Sequence, residues 1–194
     1  MTDLSIIVGT CNRPGMLANC LYQIKNQVIE NLNVEVIVID ESDDNKSKLV
    51  VDVFSDVVDK YFKKQKQGAC GAFAKDFGLS HSNGKYVCFW DDDNIYYLNA
   101  LSVLYSTAYN HDIGVVCVNH FKDDGTCVII PEKWNGKFVF KQIDTMCVCV
   151  KSELAKLYKW SDYVDRGTDY QWLIKLSKEN PIINNSTSII GYHL

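Results

Sequence analysis

Three adjacent carboxylates stand directly after an apolar run in this sequence. Asp91, Asp92 and Asp93 follow Phe89 and Trp90. Adjacent carboxylates repel one another, so a partly buried cluster of this kind needs a compensating cation or stays partly protonated. Mg²⁺ and Mn²⁺ prefer hard oxygen ligands and take one or two carboxylates together with water and substrate phosphates. The cluster therefore predicts a divalent-cation site, and an acidic turn in water is the alternative.

The segment after the first predicted strand offers small residues and a cation. Gly9 and Thr10 allow a ligand to approach the backbone closely, and Cys11 and Arg13 precede a proline at which a helix can begin. The start of a helix favours an anionic group. A turn with a helix cap and a solvated arginine is the alternative interpretation.

Carboxylates also follow the second predicted strand and precede a late helix. Asp40 ends an apolar run and Glu41 follows it; one of these acceptors can bind the imide of a pyrimidine or the amino edge of a purine, and solvent exposure is the alternative. Asp169, in the segment 165–170, begins a helical pattern. A carboxylate at a helix N-terminus stays ionised and can accept a proton from a hydroxyl, whereas capping by Thr168 or Asp169 is the alternative.

These segments need a scaffold that brings strand ends together. Short β-branched runs alternate with helical patterns, which predicts strand–helix–strand units on a mostly parallel sheet and hence an α/β fold. In such sheets, ligands bind beyond the carboxyl ends of the strands. Strands are predicted over 5–8, 34–39, 61–62, 85–90, 114–118, 146–150 and 188–193, and helices over 14–24, 49–57, 68–82, 98–108, 152–158 and 168–176.

The second half of the chain departs from this rhythm. Residues 126–131 and 137–141 alternate in the strand period around Trp134-Asn135-Gly136. This alternation predicts a small antiparallel excursion that can carry a second binding surface.

Length and composition bound the remaining choices. A chain of 194 residues is expected to form one domain, and its net charge of −4 supplies no general basic field for a nucleic-acid partner. No uninterrupted apolar run approaches the roughly 20 residues that a membrane span requires. The first residues lack the pattern of a signal peptide, so we expect a cytoplasmic protein with free cysteine thiols.

The order of these motifs resembles that of the GT-A glycosyltransferases of family 2. The resemblance rests on four segments and covers nearly the whole length of the chain. The segment 92–96, Asp-Asp-Asn-Ile-Tyr, is especially similar to the metal segment of the bacterial spore-coat member, and small viral relatives share the compact form. The four segments are Ser5-Ile-Ile-Val-Gly-Thr-Cys-Asn-Arg13, Val36-Ile-Val-Ile-Asp40, Gly84-Lys-Tyr-Val-Cys-Phe-Trp-Asp-Asp-Asp93 and Gly167-Thr-Asp169.

The resemblance implies a single GT-A domain, with residues 1–95 binding the nucleotide and residues 96–194 binding the acceptor. It implies that Asp93 is the direct ligand of a divalent cation, Mn²⁺ or Mg²⁺, and that His193 is a second ligand of this cation. It implies that Asp169 is the catalytic base. Asp40 or Glu41 reads the base of the donor. The implied nucleotide-sugar contacts are Gly9, Thr10, Cys11, Arg13, Asp40, Glu41, Lys75, Asp91 and Asp92.

The implied reaction is inverting transfer of one sugar from a nucleotide-diphosphate sugar, with UDP favoured, to a hydroxyl of a glycan or another acceptor. The motif of processive synthases is absent from 171–175, which favours transfer of a single sugar. Cys11 stands where many relatives carry an aromatic residue, which leaves the base of the donor open. Trp134, Lys133, Asn135 and Lys137 are candidate acceptor contacts, and a hairpin core role for Trp134 is the alternative.

Two rival functions lack their motifs in this sequence. A nicotinamide-binding dehydrogenase needs Gly-x-Gly-x-x-Gly at the first helix, and a P-loop needs its own glycine-rich motif; neither occurs. The remaining rival is a non-catalytic domain that binds a nucleotide sugar, and the presence of both Asp93 and Asp169 argues against it.

Overall fold

Nine strands and six α-helices alternate along residues 2–67, 71–122, 124–163 and 167–193, the part of the chain that the computed structural model describes. The strands are β1 Leu4–Thr10, β2 Val34–Asp40, β3 Lys60–Lys63, β4 Tyr86–Asp91, β5 Ile95–Tyr96, β6 Ile113–Phe121, β7 Cys127–Ile130, β8 Val148–Lys151 and β9 Ile183–His193. The helices are α1 Pro14–Lys25, α2 Lys46–Val53, α3 Ala72–Ser80, α4 Ala100–Ala108, α5 Ser152–Ala155 and α6 Thr168–Ser177. Within these ranges, no helix is long and apolar enough to cross a membrane.

All nine strands belong to one sheet in the order β3-β2-β1-β4-β8-β6-β9-β5, with β7 paired to the outer part of β6. The ladders among β1, β2, β3 and β4 are parallel. In the second half, β8 and β7 run antiparallel to their neighbours, and β9 lies parallel to β6. The α/β class is therefore confirmed, with the parallel part concentrated in the first half.

Apolar strands and helix faces build the core. The strand β4 is buried over nearly its whole length because helices cover both faces of a parallel sheet. Helix α1 buries Leu17, Cys20, Leu21 and Ile24, the face that its three-to-four spacing predicts. On the other side of the sheet, the Trp160 and Trp172 rings stack with their centres 4.2 Å apart. This aromatic pair fixes the start of α6 against the sheet.

Several apolar residues in the predicted helices are exposed. In α2, Leu49 and Val53 are 65% and 77% exposed, while Val51 is buried. Leu157 and Leu98 are also exposed. Apolar spacing shows that a helix has a preferred face, but the packing of its neighbours decides how much of that face is covered.

The second predicted strand of the antiparallel excursion is wrong. The segment 126–131 forms β7, but β7 pairs with β6 and the segment 137–141 forms no strand. The predicted glycine start of the third helix at Gly68 lies outside the described residues, and α3 begins at Ala72 after Gly71, whose φ is +78°.

A buried carboxylate ties three strands together at the end of the sheet opposite the predicted site. The Ser5 hydroxyl donates to Glu35 Oε1 at 2.5 Å, Lys60 Nζ donates to Oε2 at 2.8 Å, and the backbone N–H of Gly84 donates to Oε1 at 3.1 Å. Burial raises the pKa of Glu35, but the hydrogen bonds from Lys60 and Ser5 outweigh it and hold the pKa below its ordinary value.

We expect Glu35→Gln to lower the free energy of unfolding by about 1–3 kcal/mol at neutral pH, because it leaves buried donors without an anionic partner. Since the pKa of Glu35 is lower in the folded state, its contribution is present above about pH 4.5 and is lost as the pH falls through the folded-state pKa. Urea unfolding at pH 7 and pH 3 measures the difference, with the exposed Glu30→Gln as control. A difference that does not shrink at pH 3 contradicts this role.

Candidate active site

The carboxyl ends of β1, β2 and β4 lie side by side at one edge of the sheet. Thr10 is opposite Asp40, and Gly9 is opposite Asp91. A cavity of about 260 Å³ opens at this edge. Seven of the residues predicted to bind a nucleotide line it, and Lys66, Gly71 and Ala74 complete the lining; the seven are Gly9, Thr10, Cys11, Arg13, Glu41, Lys75 and Asp91.

Arg13 holds two of the three adjacent aspartates. Its guanidinium lies 2.5 Å from Asp92 Oδ1 and 2.6 Å from Asp93 Oδ2, and the Thr10 hydroxyl donates to Asp92 Oδ2 at 2.6 Å. Burial raises the pKa of Asp92 to about 6; the bond from Thr10 and the charge of Arg13 oppose this rise, and Asp93 and Asp91 add to it. The predicted conflict among these carboxylates is present, and Arg13 compensates part of it.

Asp40 and Glu41 differ in what their carboxylates contact. Asp40 is fully buried and accepts hydrogen bonds from Ser42 N at 2.8 Å, from the Tyr61 hydroxyl at 2.7 Å and from Lys63 Nζ at 3.0 Å. Burial raises the pKa of Asp40, but these bonds hold it below its ordinary value. Glu41 lines the cavity, and burial raises its pKa. Of the two acids, Glu41 is the one that lines this cavity.

Lys75 is a buried cation that joins the strand end to the start of α6. Its ammonium lies 3.4 Å from Asp91 Oδ1, 3.9 Å from Asp169 Oδ1 and 4.9 Å from the centre of the Trp160 ring. The Thr145 hydroxyl lies 3.4 Å from Lys75 Nζ, 3.4 Å from Asp91 Oδ2 and 3.5 Å from Asp169 Oδ2. Burial lowers the pKa of Lys75, but Asp91 and Asp169 outweigh it and raise the pKa. Lys75 is therefore charged.

The start of α6 is shaped to place Asp169 beside Lys75. Gly167 precedes the helix with a φ of +85°, and a Cβ there would overlap the Phe140 ring, so only glycine fits. The Asp169 side chain is 28% exposed. Burial raises its pKa to about 6, Lys75 opposes the rise, and Asp144 and Asp91 add to it. Such a carboxylate is ionised at neutral pH and binds a proton more strongly than an ordinary aspartate, as a general base requires.

His193 pairs with Asp144 rather than with the adjacent aspartates. His193 Nε2 lies 3.3 Å from Asp144 Oδ2, and its Nδ1 lies 2.8 Å from His120 Nδ1. The hydrogen bond to Asp144 is the main cause that raises the pKa of His193. The neighbouring charges of Asp91 and Asp169 also raise it, so His193 lies within the electrostatic reach of the site.

The donor set suits a hard divalent cation, although no metal cage is preformed in the part of the chain that the structure describes. Five aspartates of the site outnumber the two permanent cations that pair with them, Arg13 and Lys75; the aspartates are Asp91, Asp92, Asp93, Asp144 and Asp169. Within the described residues, no group of three or more His, Cys, Asp or Glu side chains is arranged to hold a metal ion. Asp93, 39% exposed at its side chain, is the most accessible of the three adjacent aspartates. The surplus of carboxylate oxygens therefore fits Mg²⁺ or Mn²⁺.

The four residues that are candidate acceptor contacts do not line the nucleotide cavity. Trp134 packs edge-on against Phe138 with ring centres 5.2 Å apart, and Lys133 and Trp134 line a separate cleft of about 390 Å³. The Asn135 side chain accepts from Lys137 N at 3.1 Å and closes a turn. The contact between the Trp134 and Phe138 rings supports the alternative in which Trp134 is a core residue.

Sequence reasoning missed several residues of the site. Lys66 follows the carboxyl end of β3, so the rule that selected the other strand ends would also have found it. Asp144 and Thr145 precede β8 as polar residues before an apolar run, which is a weak signal. His120 is adjacent to His193 only because β6 and β9 are neighbours in the sheet, and the sequence does not show that pairing.

A family model matches most of the chain. The model described as glycosyl transferase family 2 matches residues 5–157. The chain belongs to glycosyl transferase family 2. A relative from Campylobacter jejuni, GalNAc(5)-diNAcBac-PP-undecaprenol beta-1,3-glucosyltransferase, is 38% identical over 121 residues, which is 59% of this chain and 38% of the relative. The chain thus spans well under half the length of that relative.

Solved structures show the same GT-A fold. S. aureus TarS 1-349 in complex with UDP superposes with a TM-score of 0.74 at 15% identity, covering 99% of this chain and 60% of that one. The mannosyltransferase PcManGT from Pyrobaculum calidifontis, in complex with GDP-Man and Mn²⁺, gives a TM-score of 0.74 at 14% identity, covering 98% and 56%. At these identities the likeness establishes the fold alone, and the GT-A prediction is confirmed.

The contacts of Lys75 make a prediction for Asp169. Removing the ammonium in Lys75→Met takes away a positive charge that favours the ionised carboxylate, so the pKa of Asp169 should rise above about 6. Carboxyl ¹³C NMR titration of the two proteins measures this shift. Lys64→Met, which removes an exposed lysine, should leave the Asp169 pKa unchanged. An Asp169 that titrates near the ordinary value of 3.8, or that does not respond to Lys75→Met, contradicts the described coupling.

Proposed function

We propose that this chain transfers one sugar from a nucleotide-diphosphate sugar, with UDP favoured, to a hydroxyl of a glycan acceptor with inversion at the anomeric carbon. The observation that carries the proposal is the position of Asp169. Its carboxylate, with a pKa of about 6, is joined through Lys75 and Thr145 to Asp91, which lines the cavity at the carboxyl ends of the parallel strands.

The cavity supplies contacts for the donor. Gly9 and Thr10 leave the backbone open to approach, and Arg13, Lys66 and Lys75 bring three cations to its lining. Three cations around a concave site suit a diphosphate, because charge-assisted hydrogen bonds to phosphate oxygens are the strong ones. The first half of the chain, residues 1–95, contributes all these groups, which supports its assignment as the nucleotide-binding half.

Glu41 is the proposed contact of the nucleobase. It lines the cavity, whereas three protein groups already bind the carboxylate of Asp40. A carboxylate accepts a hydrogen bond from the imide of uracil, as a UDP-sugar offers, and also from the amino edge of a purine. In this assignment Asp40 does not contact the donor. Its carboxylate accepts a hydrogen bond from the backbone N–H of Ser42 and so orders the loop after β2.

Asp93 is the proposed ligand of a divalent cation, with Asp91 and Asp92 beside it and His193 as the candidate second ligand. When bound, Mn²⁺ or Mg²⁺ supplies a Lewis acid that neutralises negative charge on the leaving diphosphate. Arg13, which pairs with Asp92 and Asp93, is placed to exchange one of these carboxylates for a phosphate oxygen. Lys75 adds a second positive charge on the same side.

Asp169 is the proposed general base. As the acceptor oxygen attacks the anomeric carbon from the side opposite the diphosphate, its proton passes to the Asp169 carboxylate. The ammonium of Lys75 keeps the carboxylate ionised before this transfer, and the Thr145 hydroxyl orients it. The reaction is therefore expected to slow as the pH falls below about 6, where Asp169 is protonated.

The alternative function is binding of a nucleotide sugar without transfer. This rival shares the donor cavity, so UDP binding does not separate the two. What favours transfer is the raised pKa of Asp169, since a binding domain has no need of a carboxylate poised to accept a proton.

Asp169→Asn should reduce kcat for sugar transfer by about 10²- to 10⁴-fold, the usual contribution of a general base, and leave UDP affinity nearly unchanged. Release of UDP from UDP-sugars with Mn²⁺ and a panel of free and lipid-linked glycans measures transfer, and calorimetry measures binding. Asp162→Asn, which changes an exposed aspartate before α6, is the control. Normal transfer by Asp169→Asn contradicts the base assignment, and UDP binding with no transfer by the wild-type chain favours the rival function.

A further inference from the structure

The three adjacent aspartates lie in a short turn that joins β4 to β5. This aspartate turn comprises residues 91–94. The Asn94 N–H donates to the carbonyl of Asp91 at 3.4 Å, and the side chains of Asp92 and Asn94 are buried. The direction of each carboxylate follows from the backbone that carries it. The geometry of the candidate cation site therefore depends on what holds the two ends of the aspartate turn.

An aromatic pair joins the two ends of the aspartate turn. Trp90, the residue before the turn, and Tyr96 in β5 are both buried. Their rings are nearly parallel, with centres 3.7 Å apart. Rings at this distance are in van der Waals contact over their faces. The stack therefore keeps the backbone before the turn close to the backbone after it.

Helix α1 reaches the same turn at two points. Arg13, directly before the first residue of the helix, pairs with two of the aspartates. Near the other end of the helix, Gln23 Oε1 accepts from the Tyr96 N–H at 2.6 Å, and Gln23 Nε2 donates to the Asn94 carbonyl at 3.4 Å. The side-chain amide of Gln23 thus binds backbone groups on both sides of the junction between the aspartate turn and β5.

Strand β5 connects this junction to the end of β9. Ile95 lies opposite Tyr192, and Tyr96 lies opposite Gly191. A Cβ at Gly191 would overlap the carbonyl group of Ile95, so glycine is required for this close approach of the two strands. His193, the candidate second ligand of the cation, is the next residue of β9. The end of the aspartate turn is therefore tied to the strand that carries His193.

A second glutamine makes similar bonds to a different part of the backbone. Gln27, two residues after the end of α1, is buried. Its Nε2 donates to the Tyr97 carbonyl at 2.8 Å, and its Oε1 accepts from the Leu101 N–H at 3.0 Å. These bonds hold the segment that leads into α4. Gln27 is thus comparable with Gln23 in chemistry and differs from it in the backbone that it binds.

We propose that Gln23 is a positioning residue of the candidate cation site. Its side-chain amide fixes the backbone at the end of the aspartate turn, and this backbone directs the Asp93 carboxylate. Gln23 lies outside the lining of the nucleotide cavity, and it acts on the cation through the residues that it holds. This inference rests on the proposed function, in which Asp93 binds Mn²⁺ or Mg²⁺, and adds to it a residue of α1 that supports this ligand.

Gln23→Met replaces the amide by an apolar side chain of similar length and removes both hydrogen bonds. The affinity of the full chain for Mn²⁺ alone should fall by about ten-fold or more, because loss of a partner that orients metal ligands typically costs about 10- to 100-fold in metal affinity. The electron paramagnetic resonance signal of free Mn²⁺ measures this affinity. The Tyr96 amide should also exchange its hydrogen faster, since it loses its acceptor.

Gln27→Met is the matched control. It removes the bonds of a neighbouring glutamine to the backbone of Tyr97 and Leu101, so urea unfolding should show a loss of stability similar to that of Gln23→Met. Its Mn²⁺ affinity should equal that of the wild type. The comparison of the two variants separates positioning of the aspartate turn from a general loss of stability.

Wild-type affinity for Mn²⁺ in Gln23→Met overturns the proposal, and so does an unchanged exchange rate of the Tyr96 amide. An equal loss of Mn²⁺ affinity in Gln23→Met and Gln27→Met also overturns it, because this result indicates a general structural effect. A wild-type chain that does not bind Mn²⁺ overturns the proposal together with the cation site. A chain whose Mn²⁺ affinity depends on Gln23 as described, but which does not bind UDP, refutes the proposed function and leaves the positioning role standing.

Discussion

Uncompensated negative charge at one edge of the sheet is the constraint on which the site depends. Five aspartates converge there, and among the described residues Arg13 and Lys75 are the permanent cations that pair with them. Burial is the main cause that raises the pKa values of Asp92 and Asp169 to about 6, and the charges of the neighbouring aspartates add to both rises. A divalent cation relieves this excess of negative charge and can then also bind the phosphates of a donor, so the carboxylates that repel one another favour the proposed cation.

The fold holds these charges in place with rigid parts. Parallel strands put Gly9 level with Asp91 and Thr10 level with Asp40, and the stacked tryptophans beneath α6 bring Asp169 to the same edge. Lys75 reaches the charges from α3 with its stem among buried side chains, which lets a lysine stay charged inside the protein. The two ends of the strands have different roles. Glu35 joins neighbouring strands through hydrogen bonds at one end of the sheet, and the aspartates form the candidate site at the other end.

The sequence predicts the strand ends well because an apolar run that stops abruptly at polar residues is typical of a buried strand reaching the edge of a sheet. Gly9, Arg13, Glu41 and Asp91 follow this pattern, and the structure brings them to one cavity. Contacts that depend on which elements become neighbours cannot be predicted in this way. Leu49 and Val53 remain exposed because no described element covers that side of α2 fully, and the alternating segment 137–141 forms no strand because β7 takes the edge of β6. The partner of His193 depends likewise on the β6–β9 ladder.

Calorimetric titration of UDP into the wild-type chain and Asp93→Ala, with and without Mn²⁺, tests the charge-balance account most directly. The account predicts that Mn²⁺ raises UDP affinity by about ten-fold or more in the wild type, since the cation joins the surplus carboxylates to the diphosphate, and that Asp93→Ala abolishes this gain. Asp162→Ala should keep it. A wild-type affinity for UDP that is independent of Mn²⁺, and equal to that of Asp93→Ala, contradicts the account.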